Sequence, residues 1–292
     1  MGQVLPLHES PDAFREALSF TAAESGFSQR LIEKDYYCSL ILGDLTGLFA
    51  HGLVFKGGTC LSKVHVGFCR LSEDLDFAVS IPTTARRSDR RRAVIPIKEH
   101  LQRIAERLPP ISISEPLRGH DDCRQYNATL RYESVVTGEH ETVKVQVSVR
   151  EPIIEATVLC RGRTLLHHPV PAESPDLELP LSVLSLRETY AEKVRAALTR
   201  DPPAIRDIFD LHHAVRTNHL DLSEPGFLEL VRQKLAVAGN TAVDMSHARR
   251  KLLEDQLETN LKPVLRSSDY SLFDAERALA LVDEVARMVC AD

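Results

Sequence analysis

The chain has 292 residues, of which 43% are hydrophobic and 27% are charged, and its formal net charge is -6. This composition is typical of a globular protein and excludes disordered and fibrous proteins. The acidic balance argues against a protein that coats nucleic acid over its whole surface, although one local basic face would be compatible with it.

No apolar run approaches the roughly 18 residues of a membrane-spanning helix, and the first residues lack the pattern of a secretion signal. The six cysteines form no Cys-x-x-Cys pair and are expected to be reduced thiols. The sequence therefore predicts a cytoplasmic protein with no membrane partner.

The first part of the chain, residues 1–165, predicts an α/β domain with N-terminal helices. Two helices are expected within residues 10–50, the second capped by Ser28. A charged helix is expected over 84–108. Valines alternate with polar residues from 143 to 149, which is typical of a strand with one buried face. The predicted strands cover 53–55, 75–79, 111–113, 126–132 and 143–149.

The remainder, residues 166–292, predicts an all-helical domain. Residues 164–181 contain four prolines and predict a linker or a long loop. Ser185 and Glu188 have the spacing of a capping box, which would open a helix reaching about Leu198. Further helices are predicted near 202–215, 225–237, 245–262 and 271–289. The apolar spacing from Leu279 to Val289 predicts that the last helix packs into the core.

The segment Phe55-Lys56-Gly57-Gly58-Thr59 predicts a strand that ends in a glycine turn. Two glycines allow positive φ and a close backbone approach, so that successive N–H groups can converge on an anion. A hydroxyl residue follows where a helix would begin, a position that favours phosphate. This turn is the first candidate for a phosphate-binding element.

Two carboxylates follow on the next predicted strand, at Asp74 and Asp76. Their i, i+2 spacing puts both side chains on one face of the strand. Such neighbours repel each other unless a cation lies between them, and Mg²⁺ prefers oxygen ligands and substrate phosphates. A phosphate-binding turn followed by an Asp-x-Asp strand suits metal-assisted phosphoryl transfer. The pattern is neither a P-loop nor a Rossmann fingerprint.

A second group of candidate residues lies on the later helices. Lys193 stands beside an apolar stripe, and Asp207 and Asp210 are three residues apart, hence on one helix face. A lysine there would neutralise phosphate charge, and an acid would hold the lysine or act as a general base. The alternative is a solvated lysine, with both acids paired only to Arg206.

A dense basic run lies within the charged helix of the first domain. It is either a solvated helix face or a contact for the phosphates of RNA. Its arginines are Arg86, Arg87, Arg90, Arg91 and Arg92.

Taken in order, these motifs resemble the AbiEii/AbiGii family of nucleotidyltransferase toxins, which includes the MenT-type enzymes. Four motifs carry the resemblance: Gly57-Gly58-Thr59, Arg70-x-Ser72-x-Asp74-x-Asp76, Lys193, and Arg206-Asp207-x-x-Asp210-Leu211. The early Glu33-Lys34-Asp35-Tyr36 is also similar to the family. The resemblance runs from about residue 28 to 216, and the rest matches only as a helical tail. It implies an α+β fold with a DNA-polymerase-β-like mixed sheet, followed by a helical part.

The resemblance also implies Mg²⁺, an NTP donor, a nucleotide acceptor such as the 3′ end of tRNA, and a separate antitoxin protein. Carried over, Asp74 and Asp76 would bind the metal, while Lys193 would contact phosphate and Asp207 or Asp210 would complete the site. The nucleotide would be held by Lys56, Gly57, Gly58, Thr59, Ser72 and Lys193.

One position departs from the usual pattern. Many nucleotidyltransferases place a third carboxylate on a later strand, where this chain offers Gln146. An amide is a weaker metal ligand and cannot act as a base. Three interpretations stay open: transfer to RNA, transfer to a small molecule or protein hydroxyl, and an NTP-binding regulatory module without turnover.

Overall fold

The computed structural model describes residues 7–82, 84–170, 174 and 179–291. The chain divides into two compact units, Met1–Leu184 and Ser185–Asp292. Across the described residues, no helix combines the length and the apolar character needed to cross a bilayer.

The first unit is built on a mixed sheet of seven strands. The strands are β1 (Leu53–Lys56), β2 (Asp74–Val79), β3 (Ser112–His120), β4 (Gln125–Glu133), β5 (His140–Ser148), β6 (Val158–Gly162) and β7 (Leu179–Val183). Their order across the sheet is β3-β4-β5-β2-β1-β7-β6. The pairs β2–β5 and β1–β7 are parallel, and the other neighbouring pairs are antiparallel.

Among the described residues of this unit, five α-helices accompany the sheet. They are α1 (Pro11–Ser25), α2 (Gln29–Leu45), α3 (Gly57–Cys60), α4 (Arg87–Gln102) and α5 (Ile104–Arg107). Ser28 caps α2 as predicted, because its side chain accepts a hydrogen bond from the N–H of Leu31. The helix α2 is buried along most of its length, and Phe14 of α1 lies against Tyr36 of α2.

The alternation predicted for β5 is confirmed. Val143, Val145 and Val147 are fully buried, while Lys144 is exposed and Gln146 is half-buried. One face of this part of the sheet therefore forms the core, and the opposite face carries polar side chains.

The sheet differs from the prediction at its two ends. Strand β3 continues to His120 through register shifts, past a proline that ends the sequence pattern. Strands β6 and β7 have no counterpart among the predicted strands: Leu159 of β6 is 85% exposed, and Pro180 of β7 falls in the segment whose prolines predict a loop. Both strands join the sheet, so the division between units lies after Leu184 rather than after residue 165.

The elements assigned in the second unit are helices, with turns of 3₁₀ and π geometry between them. The α-helices are α6 (Leu186–Thr199), α7 (Ile205–Arg216), α8 (Pro225–Leu235), α9 (His247–Glu254), α10 (Ser267–Ser271) and α11 (Ala275–Cys290). In α11, Leu279, Val282 and Val285 are at most 2% exposed, which places the predicted apolar stripe in the core of this unit.

The predicted start of α6 is confirmed by its serine cap. Ser185 accepts a hydrogen bond from the N–H of Glu188. The Glu188 carboxylate is fully buried and lies 2.5 Å from the ammonium group of Lys234 on α8. The first turn of α6 is therefore also held to α8 by an internal ion pair, which the sequence spacing did not indicate.

Candidate active site

The glycine turn and the twin-acid strand lie side by side in the first unit. Strands β1 and β2 are antiparallel, and their register places Lys56 opposite Asp76. The chain leaves β1 directly into the turn, where Gly57 has a φ of 78°. The pairing of β1 with β2 therefore brings the turn beside Asp76.

The two glycines are required by close approaches that a side chain would block. A Cβ atom on Gly57 would lie 2.8 Å from the Cβ of Asp76, and one on Gly58 would lie 3.0 Å from the Oγ of Ser72. Real Cβ atoms hardly ever approach other atoms as closely as the first of these distances, and the second is tighter than most real contacts. The turn thus places bare backbone against the acidic strand, and its binding of an anion stays a prediction.

Thr59 has a different role from the one expected for its hydroxyl. Its side chain is buried, at 1% exposure, and its Oγ1 donates a hydrogen bond to the backbone carbonyl oxygen of Asp74. This bond ties α3 to the start of β2. The Thr59 hydroxyl therefore fixes the position of the acidic strand, and a contact of Thr59 with phosphate stays a prediction for its backbone N–H.

Asp74 and Asp76 are both half-buried and share the polar face of β2. On the parallel strand β5, Lys144 is the register partner of Asp74, and Gln146 that of Asp76. No group of three or more His, Cys, Asp or Glu side chains in the described part of the chain is placed to hold a metal ion. Two carboxylates are nevertheless enough for Mg²⁺ when phosphate oxygens and water complete its shell.

Arg70 adds positive charge beside the turn. Its side chain is only 2% exposed, and its Nη2 lies 2.5 Å from where a Cβ on Gly58 would be. The Ser62 hydroxyl donates to the carbonyl oxygens of Gly58 and Arg70. This bond joins the turn to the segment that leads into the acidic strand.

Two residues of the motif Glu33-Lys34-Asp35, Lys34 and Asp35, support this arrangement from α2. Asp35 and Lys63 form a buried ion pair with 2.6 Å between Oδ1 and Nζ, and Lys34 reaches Glu73, the residue before Asp74, at 3.0 Å. One helix therefore holds both the helical segment after the glycine turn and the start of β2. Charged residues inside an otherwise apolar helix were the sequence signal for these buried contacts.

On the polar face of the sheet, next to the acidic strand, there is a groove with a volume of about 540 Å³. It lies over strands β3, β4 and β5 and so begins one strand away from the acidic strand. The sequence patterns did not indicate it, because its residues come from three strands. Its walls include Arg118, His120, Asn127, Thr129, Lys144 and Gln146.

In the second unit, Lys193 is held between the two predicted acids. Its Nζ lies 2.7 Å from Asp207 Oδ1 and 2.9 Å from Asp210 Oδ2. The acids are buried, at 3% and 1% exposure. Asp207 also lies 3.5 Å from Arg200. The alternative of a solvated lysine with acids paired only to Arg206 is therefore wrong.

The positive charges in this cluster keep the Asp207 carboxyl group ionised. Burial alone would raise the pKa of Asp207, but the positive charges of Lys193 and Arg200 outweigh burial, so this pKa lies below its ordinary value. The negative charge of Asp207 is thus balanced by cations of the second unit itself.

The basic run divides into one internal arginine and four exposed ones. Arg90 is 8% exposed and donates to the carbonyl oxygens of Ala85 and Asp122 and to the Asp122 carboxylate. Its expected contact with RNA is therefore replaced by a structural role. The exposed arginines are Arg86, Arg87, Arg91 and Arg92.

Comparison with known proteins places the chain in a family. The family described as nucleotidyl transferase AbiEii toxin, type IV toxin–antitoxin system, matches residues 41–284. The chain belongs to this family of nucleotidyltransferase toxins, as its motifs predicted. Membership implies an antitoxin partner. No curated protein matches the chain.

Two solved structures from Helicobacter pylori are similar. JHP933 has 18% identity and a TM-score of 0.51, over 90% of this chain and 93% of its own. A putative nucleotidyltransferase has 19% identity and a TM-score of 0.45, over 86% of this chain and 91% of its own. The likeness to JHP933 extends to the overall fold.

Proposed function

We propose that the protein is a Mg²⁺-dependent nucleotidyltransferase toxin that transfers a nucleotide from an NTP to an acceptor hydroxyl and releases pyrophosphate. The acceptor proposed is the 3′ end of an RNA, with tRNA as the first candidate. The observation that carries this proposal is the contact between the glycine turn and the acidic strand, where Gly57 leaves no room for a side chain beside Asp76.

In this proposal, different residues of the first unit bind the triphosphate and the metal ion. The Gly57–Gly58 backbone receives the triphosphate, with Lys56 and Ser72 beside it, and Arg70 adds positive charge behind the turn. Asp74 and Asp76 supply the carboxylate oxygens that suit Mg²⁺. When bound, the metal neutralises phosphate charge and orients the reacting oxygens. Much of the rate would come from this alignment and from charge neutralisation.

For the helical second unit, we propose that Lys193 contacts phosphate, with Asp207 or Asp210 as its acidic partner. In the structure the Lys193 ammonium already has two carboxylate partners. Contact with phosphate would therefore require the lysine to share or exchange one of them.

The strand position opposite Asp76 favours a second candidate, a regulatory module that binds NTP without turning it over. Gln146 stands there instead of an acid, and an amide cannot take the proton of the acceptor hydroxyl. The two candidates differ in one measurable product, pyrophosphate.

The deciding experiment incubates the protein with Mg²⁺, total RNA and each of the four labelled NTPs in turn. We expect label to enter RNA and pyrophosphate to appear, and both to disappear with Asp76→Ala. Tight NTP binding without pyrophosphate would favour the regulatory module. Label on a small molecule or on protein, with RNA unlabelled, would move the acceptor to another class.

The exposed arginines refine the choice of acceptor. Replacing Arg91 and Arg92 together by alanine should weaken transfer to RNA, because each arginine would lose a phosphate contact. Transfer to a small molecule should not change. The buried Arg90 is excluded from this test, since its loss would disturb α4.

A further inference from the structure

The proposed reaction requires two opposite sides at the reacting phosphorus. An acceptor oxygen forms a bond to the α-phosphorus, and the bond from that phosphorus to the oxygen bridging the β-phosphate breaks. The electron pair of the broken bond stays on the departing pyrophosphate, and the hydroxyl proton passes to solvent water. The attacking and leaving oxygens lie roughly in line. If the pyrophosphate leaves on one side of Asp74 and Asp76, the acceptor must arrive on the other.

The order of the strands in the sheet indicates which side of the acidic strand receives the triphosphate and which side receives the acceptor. Strand β2 lies between β1 and β5. The glycine turn follows β1, so the triphosphate belongs to that side, and the side facing β5 is left for the acceptor. The groove over β3, β4 and β5 lies on this second side and on the same face, because its wall residues Lys144 and Gln146 are the register partners of Asp74 and Asp76.

The row of side chains leading away from Asp76 is polar throughout. Gln146 faces Asp76, Asn127 faces Gln146, and Arg118 faces Asn127. Neighbouring strands are about 4.8 Å apart, so Asn127 stands about 10 Å from the acidic strand. This distance is suited to one nucleotide lying across the strands with its terminal hydroxyl toward Asp76.

The chemistry of the groove matches a nucleotide. Arg118 and Lys144 are exposed and offer cationic groups to a phosphate. The side-chain oxygens of Asn127 and Gln146 both accept from Gln125, at 3.3 Å. Each amide keeps an NH₂ group with which to donate to a base or ribose oxygen, and such groups read the edges of unpaired bases in RNA. One carboxylate, Glu115, also lines the groove and accepts from Thr129.

We infer that this groove holds the last nucleotide of a single-stranded RNA acceptor, with Arg118 on its phosphate and Asn127 on its base. The inference rests on the proposed function and adds the acceptor subsite to it. Arg118 and Asn127 bind and position the acceptor. They lie on β3 and β4, separated from β2 by at least one strand, so their loss leaves the glycine turn and the acids in place.

The test compares Arg118→Ala and Asn127→Ala with wild type, using a short single-stranded RNA that ends in a 3′-hydroxyl. We expect the KM for RNA to rise about tenfold in each variant, the size of one lost base or phosphate contact, while the KM for NTP stays constant. For Arg118→Ala, the slope of log affinity against log salt should shrink by about 0.7. Arg131→Ala is the matched control, because Arg131 is exposed further along the same face of β4.

A binding measurement separates this inference from the proposed function. Anisotropy of a labelled RNA that lacks its terminal hydroxyl reports on the groove whether or not turnover occurs. Weaker binding in both variants, with Arg131→Ala unchanged, supports the groove as the acceptor subsite. Unchanged RNA binding, or a raised KM for NTP alone, overturns it. If wild type binds RNA through the groove but transfers nothing, the proposed function fails and the RNA subsite stands.

Discussion

Two pairs of aspartates in this protein have similar sequence spacing and opposite surroundings. Asp74 and Asp76 lie on one strand of the first unit and are half-buried. Asp207 and Asp210 lie on one helix of the second unit and are almost fully buried. The second pair encloses the ammonium group of Lys193 at 2.7 and 2.9 Å.

The difference lies in which partner balances the negative charge. Buried carboxylates are tolerated only when a cation is supplied within the fold, as Lys193 is. Half-buried carboxylates beside a glycine turn stay partly accessible to solvent. We predict that the strand pair binds a ligand, whereas the helix pair, through Lys193, holds α6 and α7 together. Substitutions at the two pairs should accordingly have opposite effects on activity and on stability.

The largest expected effect is on activity, at the strand pair. Asp76→Asn keeps the size of the side chain beside Gly57 but removes one charge, and we expect nucleotide transfer to fall by at least about 100-fold. The free energy of unfolding should change by less than about 1 kcal/mol, because the position is only half-buried and the side chain keeps its size. Transfer assays and urea unfolding measure the two quantities.

Glu133→Gln is the matched control for that change, since Glu133 is an exposed acid at the end of β4. It should alter neither quantity. If Asp76→Asn unfolded the protein, or retained transfer, the strand pair would have to be regarded as structural.

The second prediction concerns stability at the helix pair. Lys193→Met removes the cation that the two buried carboxylates share and leaves only the more distant Arg200 beside Asp207, so the free energy of unfolding should drop by about 3 kcal/mol. Arg187→Met on the same helix is the control. Its ion pair with Glu224 is 41% and 47% exposed, and its loss should cost less than about 1 kcal/mol. Equal effects of the two variants in urea unfolding would contradict the structural role of the cluster.

The third prediction distinguishes two effects of a substitution at the glycine turn: the backbone strain of a positive φ, and the collision of a new side chain with Asp76. Gly57 and Gly138 have φ values of 78° and 74°, but of these two only Gly57 would bring an added Cβ within 4 Å of another residue, Asp76. Alanine at Gly138 should cost about 1–2 kcal/mol of stability, because L residues disfavour this conformation, and alanine at Gly57 should cost more, because the collision with Asp76 adds to the same strain. Only Gly57→Ala should also abolish nucleotide transfer, since its methyl group would displace the acidic strand. Equal transfer by both variants would contradict the close approach.

The sequence predicted the elements of the site better than the edges of the sheet. The glycine turn and the acidic strand carry local patterns, a Gly-Gly pair and an i, i+2 spacing, which determine their own geometry. Strands β6 and β7 carry no such pattern: Leu159 is 85% exposed, and Pro180 is typical of a loop. Their pairing depends on neighbours far along the chain, which a local sequence pattern does not contain.

The buried charged residues likewise could not be identified from local sequence patterns. The spacing put Asp207 and Asp210 on one helix face, but it left open whether Lys193 or Arg206 would be their partner. The run of arginines likewise did not show that Arg90 folds inward to Asp122 while Arg91 stays exposed. Which member of a charged cluster is buried is decided by packing between elements, and packing is a property of the fold.

The smallest predicted effect is a pH dependence confined to the helix pair. The pKa of Asp207 is lowered in the folded protein because the charges of Lys193 and Arg200 outweigh its burial. Its contribution to stability is therefore complete above the unfolded pKa of about 3.9 and is lost as pH falls through the lower folded value. Between pH 5 and pH 3, the unfolding free energy should decrease with a slope to which Asp207 adds at most about 1.4 kcal/mol per pH unit.

Asp207→Asn should flatten that slope, although it also lowers stability at neutral pH. Asp12→Asn is the control, because the Asp12 side chain is fully exposed at 101% of its reference area. Urea unfolding at a series of pH values gives both slopes. A slope unchanged by Asp207→Asn would mean that Asp207 has the same pKa in the folded and unfolded states. The contrast between an enclosed ion pair and a half-buried acidic strand would then fail at the helix pair.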